Sequence, residues 1–366
     1  MNVILNFAWM QNRTLAILFS FFVLSLNAQL ETRLEGKFKL GFLAAHRSVM
    51  GHLATSHAVA GELSYVFKTN GESRWHNFYG KPEYGVSLFV GSVGNMELMG
   101  MYYGGFTFMR LPIIKGEHYR LSGKFGVGLG LASKFYDPTD SVLMLSIGVG
   151  SRVNALVQLG LINQFYFGKN YFSIGIDMTH FSNGSTKVPN YGLNLPFISL
   201  GYGRTIKESR VDTLYSGKSF DPYWEYGVMG IGSVKQINPV GGKYYGCYGL
   251  NLVGRRYFKG AAGLELSFDV FSKQAILGYE PEVPKTQADI IQLGVFAGYL
   301  MPMNRLHMVV GMGYYIRDKF HPEDPVYHRV GLRYVFDNGI NMNLVLKSHW
   351  ARADYIEYGI GYTFRK

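Results

Sequence analysis

Ile356-Glu357-Tyr358-Gly359-Ile360-Gly361-Tyr362-Thr363-Phe364 puts an apolar or aromatic side chain at every second position and leaves Glu357, Gly359, Gly361 and Thr363 between them. Side chains of an extended strand alternate between the two faces of a sheet, so this stretch has one apolar face and one that is polar or bare. The same period of two runs through the chain from Lys37 onward. Phe172, Ile174, Ile176 and Met178 alternate with Ser173, Gly175, Asp177 and Thr179. Leu264, Leu266, Phe268 and Val270 alternate with Glu265, Ser267 and Asp269, and Val330, Leu332, Tyr334 and Phe336 with Arg329, Gly331 and Arg333. A water-soluble β-sandwich would alternate in the same way, so the period alone does not choose between water and lipid.

The end of the chain makes that choice. A last strand with an aromatic close to the carboxyl end resembles the signal by which barrel proteins are recognised for membrane insertion. With 46 Gly, 27 Tyr and 26 Phe, the composition also supplies aromatic girdles for both edges of a lipid-facing band. After the N-terminal segment no apolar run is long enough to cross a bilayer as a helix, and in hydrocarbon only helices and closed barrels satisfy every backbone group. The expected fold is therefore all-β, an antiparallel transmembrane β-barrel. Candidate strands number about eight before residue 207 and about eight after residue 222. Between them, Lys207-Glu-Ser-Arg-Val-Asp-Thr-Leu-Tyr-Ser-Gly-Lys-Ser-Phe-Asp-Pro222 is polar and longer than most turns. The division read from this is a first half over 29–207, a linker over 208–221 and a second half over 222–366. Either the halves close as two barrels in tandem or they join as one barrel of about sixteen strands. The long linker and the even strand count of each half favour the tandem.

The N-terminus speaks for export. Arg13 precedes an apolar run from Leu15 to Leu26, and Asn27-Ala28-Gln29 carries the small residue a signal peptidase needs, so residues 1–28 read as a signal peptide. The run falls short of the ~20 apolar residues of a membrane anchor. The expected location is the bacterial outer membrane. Cys247 is the only cysteine, which excludes an intramolecular disulfide. A net charge of +11 suits a phosphate-bearing partner such as a lipopolysaccharide surface, and equally suits ordinary surface charge.

The stretch richest in chemistry is His180-Phe181-Ser182-Asn183-Gly184, followed by Pro189-Asn190-Tyr191-Gly192-Leu193-Asn194. His180 and Ser182 share the parity of Phe172, Ile174, Ile176 and Met178, so both project from the apolar outer face, where polar groups are costly and call for a reason. An imidazole and a hydroxyl two residues apart form the minimal pair of general base and nucleophile. The next strand places Asn194, Pro196, Ile198, Leu200 and Tyr202 outward, which puts Asn194 on the face of His180 across one loop. Counting from the start, the His180 strand is the seventh. The tight Gly168-Lys169-Asn170 turn before it and the longer loop after it place His180 near the outer rim.

On these residues the chain resembles the lipid A 3-O-deacylases of PagL type, small barrels with a Ser-His hydrolase site on the outer surface. The resemblance rests on His-x-Ser-Asn at 180–183, Asn-x-Gly at 190–192 and the strand count before them, over roughly residues 30–207. It implies a cofactor-independent, metal-free esterase acting on lipid A of the outer leaflet. His180 would be the base, Ser182 the nucleophile and Asn183 a contributor to the oxyanion hole, with Gly184, Asn190 and Gly192 in the same oxyanion and substrate-binding segment. One position departs from the family: its acidic triad member falls on Asn194. A carboxamide can hold the imidazole in its reactive tautomer but brings no charge to stabilise an imidazolium. The competing reading is a barrel without activity, serving as a structural element, a pore or a lipopolysaccharide-binding scaffold.

Other signals are weaker. Ser348-His349-Trp350 suggests a second site, but His349 has inward parity and no Ser-Asn turn follows, so the second half is expected to be non-catalytic. Gly126-Val127-Gly128-Leu129-Gly130 alternates on a strand and reads as relief of crowding in a narrow barrel rather than a phosphate loop. His46, His52 and His57 cluster in the first long loop with no metal-site spacing, and read as loop residues.

Overall fold

Residues 30–209, 220–258, 261–350 and 352–365 are described by a computed structural model of the chain. The expected signal peptide and most of the expected linker lie outside them. The first half contains β1 (Glu31–Phe42), β2 (His57–Lys68), the short helix α1 (Arg74–Phe78), β3 (Glu83–Ser92), β4 (Met101–Lys115), β5 (Tyr119–Ala132), β6 (Val153–Phe167), β7 (Asn170–Ser182) and β8 (Leu193–Lys207). The second contains β9 (Tyr223–Gln236), β10 (Tyr244–Phe258), β11 (Ala262–Lys273), β12 (Ile291–Met303), β13 (Leu306–Arg317), β14 (Val326–Val335), β15 (Ile340–His349) and β16 (Arg352–Arg365).

Each set closes on itself as an eight-stranded antiparallel barrel. β1 pairs with β8, as in Leu34 opposite Arg204, and β9 pairs with β16, as in Val228 opposite Tyr362. Closure leaves no sheet edge to satisfy, and the tandem rather than the single large barrel is what forms. Among the described residues no helix is long and apolar enough to cross a membrane. Most connections are tight at one end, as at Gly168 and Asn304, and long at the other, as over 133–152 and 274–290; the exceptions are the α1-bearing stretch 69–82 at the tight end and the short β15–β16 turn at the other.

The walls follow the parity of the sequence. Phe172, Ile176, Leu266 and Ile360 stand on the outside at 56, 57, 60 and 64% exposure. The interiors are filled with ion pairs. In the first barrel the Glu62 carboxylate takes hydrogen bonds from Lys37 at 2.9 Å, Lys124 at 2.5 Å and Gln158 at 3.1 Å. In the second, Arg329 reaches Asp269 at 2.6 Å and Glu357 at 2.9 Å. The glycines of β5 make room for this filling: a Cβ at Gly128 would lie 2.2 Å from the Gly105 carbonyl oxygen, and one at Gly130 2.5 Å from the Phe181 ring.

The two barrels meet along a seam. At the long-loop end the Ser185 hydroxyl donates to the Ala353 carbonyl at 2.8 Å, and the Val188 N–H donates to Gln236 Oε1 at 2.9 Å. At the tight-turn end the Tyr79 hydroxyl donates to the Ala261 carbonyl, and Trp75, Met109 and Ala261 form an apolar cluster flanked by Met301 and Met303.

Candidate active site

Strand register builds the centre of the site. In the β7–β8 ladder His180 stands directly opposite Asn194, and opposed residues of an antiparallel pair share a face. That face is the outer wall, as parity requires. His180 Nδ1 lies 2.6 Å from Asn194 Oδ1. A carboxamide oxygen can only accept, so Nδ1 carries the proton and Nε2 keeps its lone pair, which is the tautomer a general base needs. Nε2 has no hydrogen-bond partner among the described residues. On its other side Asn194 Nδ2 donates to His46 Nδ1 at 3.2 Å.

Phe181, between the two reactive side chains, points into the lumen and fixes the end of β7. Its ring packs against Tyr102 at 5.0 Å and Phe89 at 5.7 Å between centroids. Ser182, next on the outer face, is only 7% exposed and lines a cavity together with residues of the 183–192 loop and of the second barrel. Ser182 and His180 line one cavity of about 450 Å³ without a hydrogen bond between them among the described residues. The first barrel contributes His46, Arg47 and the Pro189–Gly192 segment to this cavity, and the second contributes Lys235, Tyr279, Glu323 and Arg352.

The remaining residues singled out from the sequence shape the loop. The Asn183 N–H donates to Asn190 Oδ1 at 3.0 Å, while Asn183 Nδ2 donates to Ser151 Oγ at 3.1 Å and to the Lys187 carbonyl at 2.8 Å. The donors of Asn183 are thus engaged in holding the loop. Gly184, with φ of +62°, packs where a Cβ would sit 2.7 Å from Ile356 of the other barrel. Gly192, with φ of +76°, donates its N–H to the Gly148 carbonyl at 2.9 Å, and a Cβ there would meet His180 Cε1 at 2.7 Å. Glycine at 192 is what lets the loop lie flat against the imidazole.

Two contributors escaped the sequence reading. Spacing marks His46, His52 and His57 alike as loop residues, yet His46 alone of the three reaches Asn194. His52 Nε2 instead donates to the Leu145 carbonyl at 2.8 Å, and His57 opens β2. The second barrel's mouth was also unforeseen. There, Glu323, His349 and Asp354 bring potential metal-ligating atoms within 4.8 Å of one another. Lysines occupy that ground: Lys273 lies 2.6 Å from Glu323 and 2.7 Å from Asp354, and Lys235 lies 3.3 and 2.5 Å from the same carboxylates. His349 is turned inward, donating from Nδ1 to the Val326 carbonyl at 3.0 Å, and so does not share a face with Ser348.

Comparison with known proteins bears on both halves. Residues 59–203 match the family model described as lipid A 3-O-deacylase (PagL), and residues 224–366 match that of the acyloxyacyl hydrolase C-terminal domain (PagL_C). Solved structures similar to the chain include two engineered mutants of the Rh. blastica porin, each 8% identical and covering 92% of this chain and 100% of theirs, with TM-scores of 0.17 and 0.18. Overlap that poor says nothing of fold or function. No curated protein sequence matches the chain significantly.

Proposed function

We propose, from the premise that this chain belongs to the lipid A 3-O-deacylase (PagL) family, that it is an outer-membrane esterase in which Ser182 and His180 remove an ester-linked acyl chain from lipid A. The observation that carries this reading is the His180–Asn194 pair on the outer wall, bonded through Nδ1, with His180 and Ser182 lining one cavity.

The Ser182 hydroxyl attacks the ester carbonyl as its proton passes to His180 Nε2. The tetrahedral oxyanion is met by backbone N–H groups of the turn that follows Ser182; Asn183 joins them only when its loop bonds loosen. Collapse breaks the bond to the sugar oxygen, which leaves with the proton from His180. Water, deprotonated by the same nitrogen, then frees the fatty acid and restores Ser182. Asn194 orients the imidazole throughout. The second barrel supplies the far wall of the cleft rather than a second nucleophile and base. Exposed apolar walls on both barrels suit a bilayer, where a lipid can present its acyl chains alongside the protein. The segment read as a signal peptide serves export.

Lipid A mass spectrometry of a Gram-negative host tests this directly. Expression of the protein is expected to remove one hydroxyacyl chain, whereas identical spectra from cells holding the folded protein would favour a scaffold. A second expectation concerns Gly192→Ala. The new methyl meets the imidazole and the backbone sits at positive φ, so His180 shifts and kcat falls about 10²-fold while both barrels still fold. Full turnover in that variant would show that the imidazole is not held where the geometry places it.

A further inference from the structure

We propose that His46 is a positioning residue for the hydrolytic site, setting the orientation of the Asn194 carboxamide and through it the tautomer of His180; the proposal rests on the esterase reading above. A carboxamide has two nearly isosteric ends, and Asn194 lies between the Nδ1 atoms of two histidines. With its oxygen toward His180, it requires a proton on His180 Nδ1 and leaves Nε2 free to take the serine proton. Turned over, it offers an N–H to His180 Nδ1, moves the histidine's proton to Nε2 and leaves no base for Ser182. A carboxylate, with two equivalent oxygens, has no such wrong orientation.

The structure holds the productive arrangement, with the amide oxygen facing His180 Nδ1 at 2.6 Å and the amide nitrogen facing His46 Nδ1 at 3.2 Å. His46 is brought there by the backbone, because the Ala44 N–H donates to the Asn194 carbonyl at 2.9 Å. Beyond it Met50 and Leu53 are buried in the apolar cluster that also holds Leu193 and Phe197, so the loop is anchored on both sides of His46. With its own ring proton on Nε2, His46 accepts from the amide end and thereby favours the oxygen-inward form. An uncharged residue can then occupy the acid's place without losing control of the tautomer.

The test is a double-mutant cycle read alongside nitrogen NMR of the full-length protein labelled with [15N]histidine. His46→Ala is expected to lower kcat for lipid A deacylation about 10-fold with KM unchanged, as loss of an orienting partner does. His46→Gln, which keeps an acceptor, is expected to recover much of that loss. In the Asn194→Asp background the same His46→Ala change costs less than about 2-fold, since a carboxylate cannot be turned the wrong way. Equal losses in the two backgrounds would overturn the proposal. The NMR arm needs no turnover: in His46→Ala a measurable fraction of His180 moves its proton from Nδ1 to Nε2, and an unchanged tautomer refutes the positioning role. If the tautomer responds while lipid A is never cut, the orienting contact stands and the esterase assignment falls.

Discussion

Ser182→Ala is expected to abolish deacylation, lowering kcat/KM by at least about 10³-fold, the scale on which a serine hydrolase loses rate with its nucleophile. The change removes one oxygen atom. Because the Ser182 hydroxyl has no hydrogen-bond partner among the described residues, no buried donor or acceptor is orphaned and the barrels are expected to fold as before. His180→Ala gives a loss of similar size, and the double variant loses little more than either single one, since a base with no nucleophile to activate contributes nothing further. Purified variants mixed with lipid A in detergent micelles, followed by mass spectrometry of the products, measure this. Wild-type rates in Ser182→Ala would end the assignment of Ser182 as the nucleophile, whatever the family.

Glu62→Leu is the change with the largest expected effect on stability. Glu62 is buried in the lumen of the first barrel, within 2.9 Å of Lys37, 3.5 Å of Lys39 and 2.5 Å of Lys124. Lys39 keeps Asp177 at 2.8 Å and Lys37 keeps Glu35 at 3.3 Å, but Lys124 has no second carboxylate partner among the described residues. Removing one member of a buried charge set while leaving the others costs about 3–5 kcal/mol, most of it the penalty of an uncompensated charge. The unfolding midpoint in urea, measured in lipid or detergent, should fall accordingly. Adding Lys124→Met should restore a good part of the loss, because an apolar side chain of similar length needs no partner. If Glu62→Leu unfolds at the wild-type midpoint, water rather than Glu62 is solvating these lysines.

Parity carried most of what could be read in advance. A period of two fixes the face of every strand residue, so the outward placement of His180, Ser182 and Asn194 follows once β7 and β8 are recognised. The pairing of His180 with Asn194 goes one step further and depends on the length of the 183–192 loop, which sets the register. Parity is silent on closure: β8 could have paired with β9 instead of β1, and which ends meet is decided by twist and stagger summed over eight strands. It is equally silent on contacts made by irregular segments. His46 reaches Asn194 through a loop whose course is set by the burial of Met50 and Leu53, and nothing in the spacing of residues 46 and 194 announces it. Asn183 shows the opposite failure. Its place in a motif suggested a free donor, but the turn around it uses those donors for its own closure. The cleft between the barrels depends on how two curved walls dock, a property of neither half alone.

The charged filling of the two lumens also bears on permeability. Each interior is crossed by interlocked salt bridges and aromatic rings, and the void between Glu265, Arg329 and Glu357 in the second barrel is about 10 Å³, space for a single water molecule. An ion or solute passing along such a cylinder would have to part these ion pairs. Seated in a bilayer as proposed, the protein would insert sixteen strands into the cell's permeability barrier with charge-paired side chains rather than open water at these levels of its lumens.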